Sequence, residues 1–412
     1  MINRKSGTEP RADGRRETAI KCAVVFIAGI TVFVSYVLIR LGYENLFRSF
    51  GDGHLYVSVA DNILDSGHFI QTIRTERDNM VVPFGLPFML LPFRLITRSD
   101  LPLTLLPFAV FGATNVLAFL SERRLFGTSG MLSAAFLTIA YAFRYECSPV
   151  FFCCTEVWYT FFLYAALYAA SRIDLSLARR LGWVNGLTFW AMCIRPVLAP
   201  IYIAAAAYTL WCAAKRSVSV KRAAVYLLIP AVIMAAFTGI NYRETGQPVL
   251  FENYAAPDLW SANNPDSDAL SIEVFDLYEE MKETTGIDYA RDSALYKAKL
   301  RDYIKAYPGK FISDTARRFF VMFVWEWRLA LLPVIAAAAL LIARDKKRRC
   351  FFGTLLGLML LLMAATSTGM NIKRYTFFVV PFWNVFLAGA FSLIRPYLNK
   401  LRELPGFIKK TG

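Results

Sequence analysis

The feature that most constrains this chain is a series of apolar blocks, each about 15 to 25 residues long, separated by short basic or polar stretches. A helix needs about 20 such residues to cross a bilayer. Inside hydrocarbon every backbone amide has to be paired within its own segment, so blocks of this length must be helical. The alternating segments of about ten residues that build a membrane barrel are absent. The expected class is therefore an all-α polytopic membrane protein. With 56% of residues hydrophobic and only 19% charged, there is too little polar surface for a soluble alternative. The first block, Ile20 to Leu41, follows a basic stretch from Arg11 to Lys21. It is too long for the apolar region of a secretory signal and lacks a small-residue cleavage site, so it reads as an uncleaved anchor.

The net charge of +15 does not point to nucleic acid, because the basic residues cluster at the short loops between apolar blocks rather than on one soluble face. Arg123-Arg124, Arg172 with Arg179-Arg180, Lys215-Arg216 with Lys221-Arg222, Arg344 to Arg349 and the tail after Arg395 are expected to face the cytoplasm. Threading the chain through these constraints gives about ten spans, near 20–41, 101–121, 128–144, 157–171, 182–196, 198–214, 223–241, 329–343, 351–369 and 376–394. The expected organisation is a cytoplasmic N-terminal tail (1–19), a transmembrane domain (20–394) and a cytoplasmic C-terminal tail (395–412) in the cell membrane. Val81 to Ile96 breaks this alternation. It is short and carries Pro83, Pro87 and Pro92, and treating it as a span would invert the charge pattern of every later loop. It reads instead as a re-entrant or interfacial segment on the outer face.

Two outer regions are long enough to carry function: 42–100, and 242–328 with amphipathic helices expected near 269–284 and 292–306. In the first, Leu55, Val59, Ile63 and Leu64 recur at helical spacing, which predicts an amphipathic helix at the interface with Asp52 near its start. An acid there is either an N-cap or a catalytic group. Glu156 opens a later span, Arg195 lies near the outer end of another, and Lys373-Arg374-Tyr375 precede the last. Glu156 and Arg195 could simply pair to hold helices together. Alternatively, cations at this depth bind a lipid phosphate while a carboxylate takes a proton from an acceptor hydroxyl, which suits transfer from a lipid phosphate. His54 and His68 are too few for a histidine-rich metal site, although His54 is two residues from Asp52 and remains a candidate ligand. The seven cysteines form no CxxC pair and are assigned to packing. Trp158, Trp325, Trp327 and Tyr145 lie near predicted outer ends of spans, where interfacial aromatic belts form.

These motifs, in this order, resemble the GT-C class of membrane glycosyltransferases, in particular bacterial relatives of protein O-mannosyltransferases and lipid A aminoarabinose transferase. Asp52-Gly53-His54-Leu55-Tyr56 is similar to the first-loop acidic motif, and Pro83-Phe84-Gly85-Leu86-Pro87 to the proline-glycine-proline segment after it. Thr155-Glu156, Arg195-Pro196, Lys373-Arg374-Tyr375 and the Leu259-Trp260 and Asn263-Asn264-Pro265 stretches also find counterparts. Many members have Glu after the first-loop Asp, where this chain has Gly53, and Arg74 to Met80 lack the pattern of the aminoarabinose enzymes. The resemblance implies inverting transfer of a sugar from a polyprenyl-phosphate carrier to a hydroxyl of a glycan, lipid or protein acceptor at the outer face. It implies Asp52 as general base, Glu156 as second acid, Arg195, Lys373 and Arg374 on the donor phosphate, and His54, Tyr56, Asn263, Asn264 and Tyr375 lining the site. A divalent ion shared by Asp52, Glu156 and His54 is left open, since proton abstraction needs none. The alternatives are a lipid or glycolipid transporter, and a lipid-linked glycan polymerase or ligase.

Overall fold

The computed structural model describes residues 12–41, 53–70, 80–127, 131, 134–135, 155–265, 267, 289–325, 335, 338, 343, 345–368 and 379–402. The described residues form thirteen α-helices and no strand. In chain order they are α1 (Ala12–Leu41), α2 (Gly53–Ser66), α3 (Gly85–Ile96), α4 (Leu101–Phe126), α5 (Thr155–Ser171), α6 (Leu177–Ile194), α7 (Ala199–Ala214), α8 (Val220–Thr245), α9 (Ala255–Ala262), α10 (Tyr289–Ala306), α11 (Pro308–Trp325), α12 (Lys346–Ser367) and α13 (Val379–Arg402).

Among the described residues, four helices are long and apolar enough to cross a membrane: Leu101–Phe126, Pro196–Ala214, Val220–Thr245 and Lys346–Ser367. The chain is a helical protein built for a membrane. One flank of α8 shows why, because Val225, Leu228, Ile229 and Val232 all stand exposed on it. An apolar surface of that extent is stable against lipid and not against water. The expected spans 128–144 and 329–343 and the helix near 269–284 lie mostly outside the described residues.

Local signals set the helix ends. Ser176 and Ser219 each accept a hydrogen bond from the backbone amide three residues on, and Asp345 accepts from Lys347. Gly246 closes α8 in a left-handed conformation (φ +71°). At one end of the bundle Arg124 and Arg172 converge on Asp174, Arg123 donates to Thr18, and Val218 packs with Leu181 and Cys212. This is the end that the charge pattern assigns to the cytoplasm. Residues 53–70 and 80–96, the start of α5 and the 246–254 stretch lie toward the other end.

α2 is the amphipathic helix expected, with Gly53, Leu55, Tyr56, Val57, Val59 and Ala60 buried and an open stripe running from His54 to Asp65. At that far end the structure departs from expectation in two places. Trp158 belongs to no interfacial belt; it is buried in the main core beside Val157, Tyr159 and α2. The stretch expected as outer loop also holds two further helices, α9 and α11.

Candidate functional site

The first loop is fastened down by polar contacts that fix the register of α2 and α3. Arg94, buried in α3, donates from Nε to Asp61 Oδ1 at 2.7 Å and from Nη2 to Oδ2 at 2.6 Å, reaching back to α2. Its remaining nitrogen bonds the Arg98 carbonyl and Asp100. A bidentate pair of this kind is both strong and geometrically exacting. Asp61 is thereby committed to structure. On the other side of the loop, the Phe69 amide donates to Glu244 at the end of α8, and Asn62 donates to the Ile70 carbonyl.

The proline-glycine segment locks onto α6. Val81 donates its amide to Asn253 Oδ1 at 2.9 Å, and Asn241 donates to the Val249 carbonyl, so the segment and the 246–254 loop share one set of bonds. Gly85 then sits directly on the backbone of Cys193 and Ile194. A Cβ at Gly85 would lie 2.7 Å from the Cys193 carbonyl carbon, so only glycine permits this approach. The next residue along α6 is Arg195, which leaves the helix in extended conformation.

Arg195 lies within electrostatic range of Glu252 and Tyr254, and Tyr254 within range of Tyr56. The Tyr254 hydroxyl donates to the Glu252 carboxylate. Burial pushes the Glu252 carboxyl above the usual carboxylate range, against the opposing pull of Tyr254 and Arg195. It also holds the Tyr254 phenol well above its ordinary value. An acid, a cation and two phenols are thus linked by electrostatic interactions beside the first turn of α2. Tyr56 was expected there from its motif. Glu252 and Tyr254 were not, although a lone acid in Phe251-Glu252-Asn253-Tyr254 is the kind of interfacial carboxylate that marks a site.

Glu156 is buried at the start of α5, where the Thr155 hydroxyl faces it at 3.4 Å, and the following residues share the core with Tyr56 and Ile194. His54 stands exposed on α2. Asp52, Lys373, Arg374 and Tyr375 lie outside the described residues. Among the described residues no group of three or more His, Cys, Asp or Glu side chains could hold a metal ion.

Asn263 and Asn264 lie at the end of α9, and here the structure adds a residue that sequence reasoning missed. Arg318, from α11, is fully buried; it donates to the carbonyls of Ser367, Thr368 and Ala262 and to Asn263 Oδ1, at 2.9 to 3.2 Å. Asn263 donates in turn to the Leu259 and Thr368 carbonyls. One guanidinium therefore ties the ends of α9 and α12 together, just before the segment bearing Lys373-Arg374-Tyr375. Above it Trp260, Tyr296 and Tyr303 form an aromatic cluster, with the Lys299 ammonium 4.7 Å from the Tyr296 ring centre. No family model, curated protein or solved structure matches the chain.

Proposed function

We propose that this protein is a GT-C-like glycosyltransferase, of about ten spans, that moves a sugar from a polyprenyl-phosphate carrier to an acceptor hydroxyl at the outer membrane face. The observation that carries the reading is the electrostatic grouping of Arg195, Glu252, Tyr254 and Tyr56 beside the start of the helix that follows Asp52. A cation at the rim of a bundle with an apolar exterior suits a lipid phosphate, whose tail lies along the helices while its head meets the guanidinium.

In the proposed reaction Asp52 takes the proton of the acceptor hydroxyl as its oxygen bonds to the anomeric carbon. The bond from that carbon to the phosphate oxygen breaks with inversion, and polyprenyl phosphate leaves. Arg195 and Arg374, with Lys373, neutralise the charge that collects on the phosphate. Glu156 orients donor or acceptor, and Glu252 with Tyr254 sets the field around Arg195. Trp260 supplies an aromatic face of the type that sugars stack against.

The test uses purified protein and a labelled polyprenyl-phosphate sugar. Asp52→Asn and Glu156→Gln should each reduce release of polyprenyl phosphate by about 10² or more. Undiminished release in either variant removes that acid from the mechanism. Transport of a lipid phosphate is favoured by one observation, the fully buried Glu122 within Leu101–Phe126. Transport moves the labelled lipid between leaflets with its sugar still attached.

A further inference from the structure

Helical register aligns a row of polar residues down the interior of the bundle. On α5, Glu156, Thr160 and Tyr164 recur every four residues, which puts them on one face over a length of about 12 Å. All three are buried. On α4, Asn115 and Glu122 share the face that carries Phe111 and Ala118 into the main core, while Gly112, on another face, packs on α1. From α13, Asn384 donates to the Tyr164 hydroxyl at 2.6 Å, joining the third helix to the row.

Several of these groups lack a hydrogen-bond partner. Both amide atoms of Asn115, the Thr160 hydroxyl, the Asn384 carbonyl oxygen and the Trp158 indole nitrogen are fully shielded and unpaired. Asn115, Thr160 and Asn384 have no exposed surface at all. A buried, unsatisfied polar group costs about 1–3 kcal/mol, and hydrocarbon around the bundle gives no relief. Asn115, Thr160 and Asn384, on three neighbouring helices, are not a chance defect in packing, whereas Trp158 lies on the opposite side of α5 from Thr160.

We propose that the seam between α4, α5 and α13 holds buried water molecules that bridge Asn115, Thr160 and Asn384. The chemistry of the groups selects the ligand. They are neutral and comprise donors (Asn115 Nδ2, the Thr160 hydroxyl) as well as acceptors (Asn115 Oδ1, Asn384 Oδ1). An anion would meet no cation among them, and a cation would have no use for the donors. Water, with two protons and two lone pairs, satisfies both kinds at once, and a buried water makes about three such bonds. The seam runs from Glu156 at the proposed site toward Glu122 near the opposite end, so it lines the bundle interior with exchangeable protons.

Radiolytic footprinting of the wild-type protein in nanodiscs tests this, because X-rays make hydroxyl radicals from water trapped beside a side chain. Tyr164 should be oxidised at least several-fold faster than Phe352 and Phe386, which are equally buried in the apolar layer. In parallel, Asn115→Leu should lower Tm, since it strands the water and the groups it bridges. Footprinting at the apolar background rate, or a higher Tm in Asn115→Leu, means a dry seam and overturns the proposal. Oxidation of Tyr164 that changes when sodium is replaced by choline assigns the seam to a cation and overturns it equally. Because the footprinting uses the unaltered chain, it distinguishes a wet seam from a dry one even where Asn115→Leu fails to fold.

Discussion

Replacing Gly85 by alanine should damage this protein out of proportion to the single methyl group it adds. The new Cβ would stand 2.7 Å from the Cys193 carbonyl carbon, 2.7 Å from the Ile194 amide nitrogen and 2.9 Å from the Cys193 oxygen. All three are backbone atoms of α6, so no side chain can swing aside. Relief requires α3 and the end of α6 to part by about 0.7 Å, and overpacking of this kind costs about 1–3 kcal/mol. The displacement falls on Arg195, the next residue in the chain. A charge moved by about 1 Å from its working position can cost as much as 10² in rate. Gly186→Ala is the matched control, in the same helix and with nothing within 4 Å of its added Cβ. It should be neutral or stabilising by about 0.5–1 kcal/mol, because alanine loses less entropy in a helix. Thermal unfolding and polyprenyl-phosphate release, measured on both variants, decide the matter. If Gly85→Ala keeps wild-type Tm and turnover, the contact does not position Arg195 and the role given to the proline-glycine segment is wrong.

Arg318→Met should destabilise by about 3–5 kcal/mol, since it strands three carbonyls and the Asn263 side chain in a buried place, and Arg318→Lys should rescue little because one ammonium cannot span them; chemical denaturation in detergent measures both. Asp61→Asn should loosen α2 from α3 by about 2–3 kcal/mol, seen as faster amide exchange in 53–66, while Asp65→Asn, whose partner Arg98 is exposed, should change little. For Glu252 the raised folded value fixes the sign. A carboxyl that holds its proton more tightly when folded adds stability that is complete below its ordinary value of 4.5 and is lost as pH rises through the folded value. Tm of the wild type should therefore fall over that interval relative to Glu252→Gln, and parallel curves would show that burial does not perturb the group.

What the sequence disclosed followed what is local in it. The span expected at 198–214 is helix Ala199–Ala214, because proline opens it and Lys215-Arg216 close it. The amphipathic helix expected at 292–306 is Tyr289–Ala306, whose apolar residues recur at helical spacing. In helix Pro308–Trp325 the residues Lys310, Asp314, Arg317 and Arg318 share one polar face, which reads as a solvated surface, but the burial of Arg318 depends on carbonyls some 50 residues away in each direction. Nothing near Arg318 in sequence announces those partners. The buried face of α2 was legible, because Leu55, Val59 and Ile63 recur at helical spacing and α3 packs against it. Glu252 stands at the end of no span, and it is the fold of the 246–254 loop that carries it toward Arg195.

The central claim is that the site around Arg195 breaks a bond. Purified protein reconstituted in liposomes with a polyprenyl-phosphate sugar, labelled in both sugar and phosphate, and with an acceptor extract measures this directly. The account predicts that the labels separate, with free polyprenyl phosphate appearing in step with a glycosylated acceptor of inverted anomeric configuration. Labels that stay joined while the lipid crosses from one leaflet to the other would contradict it.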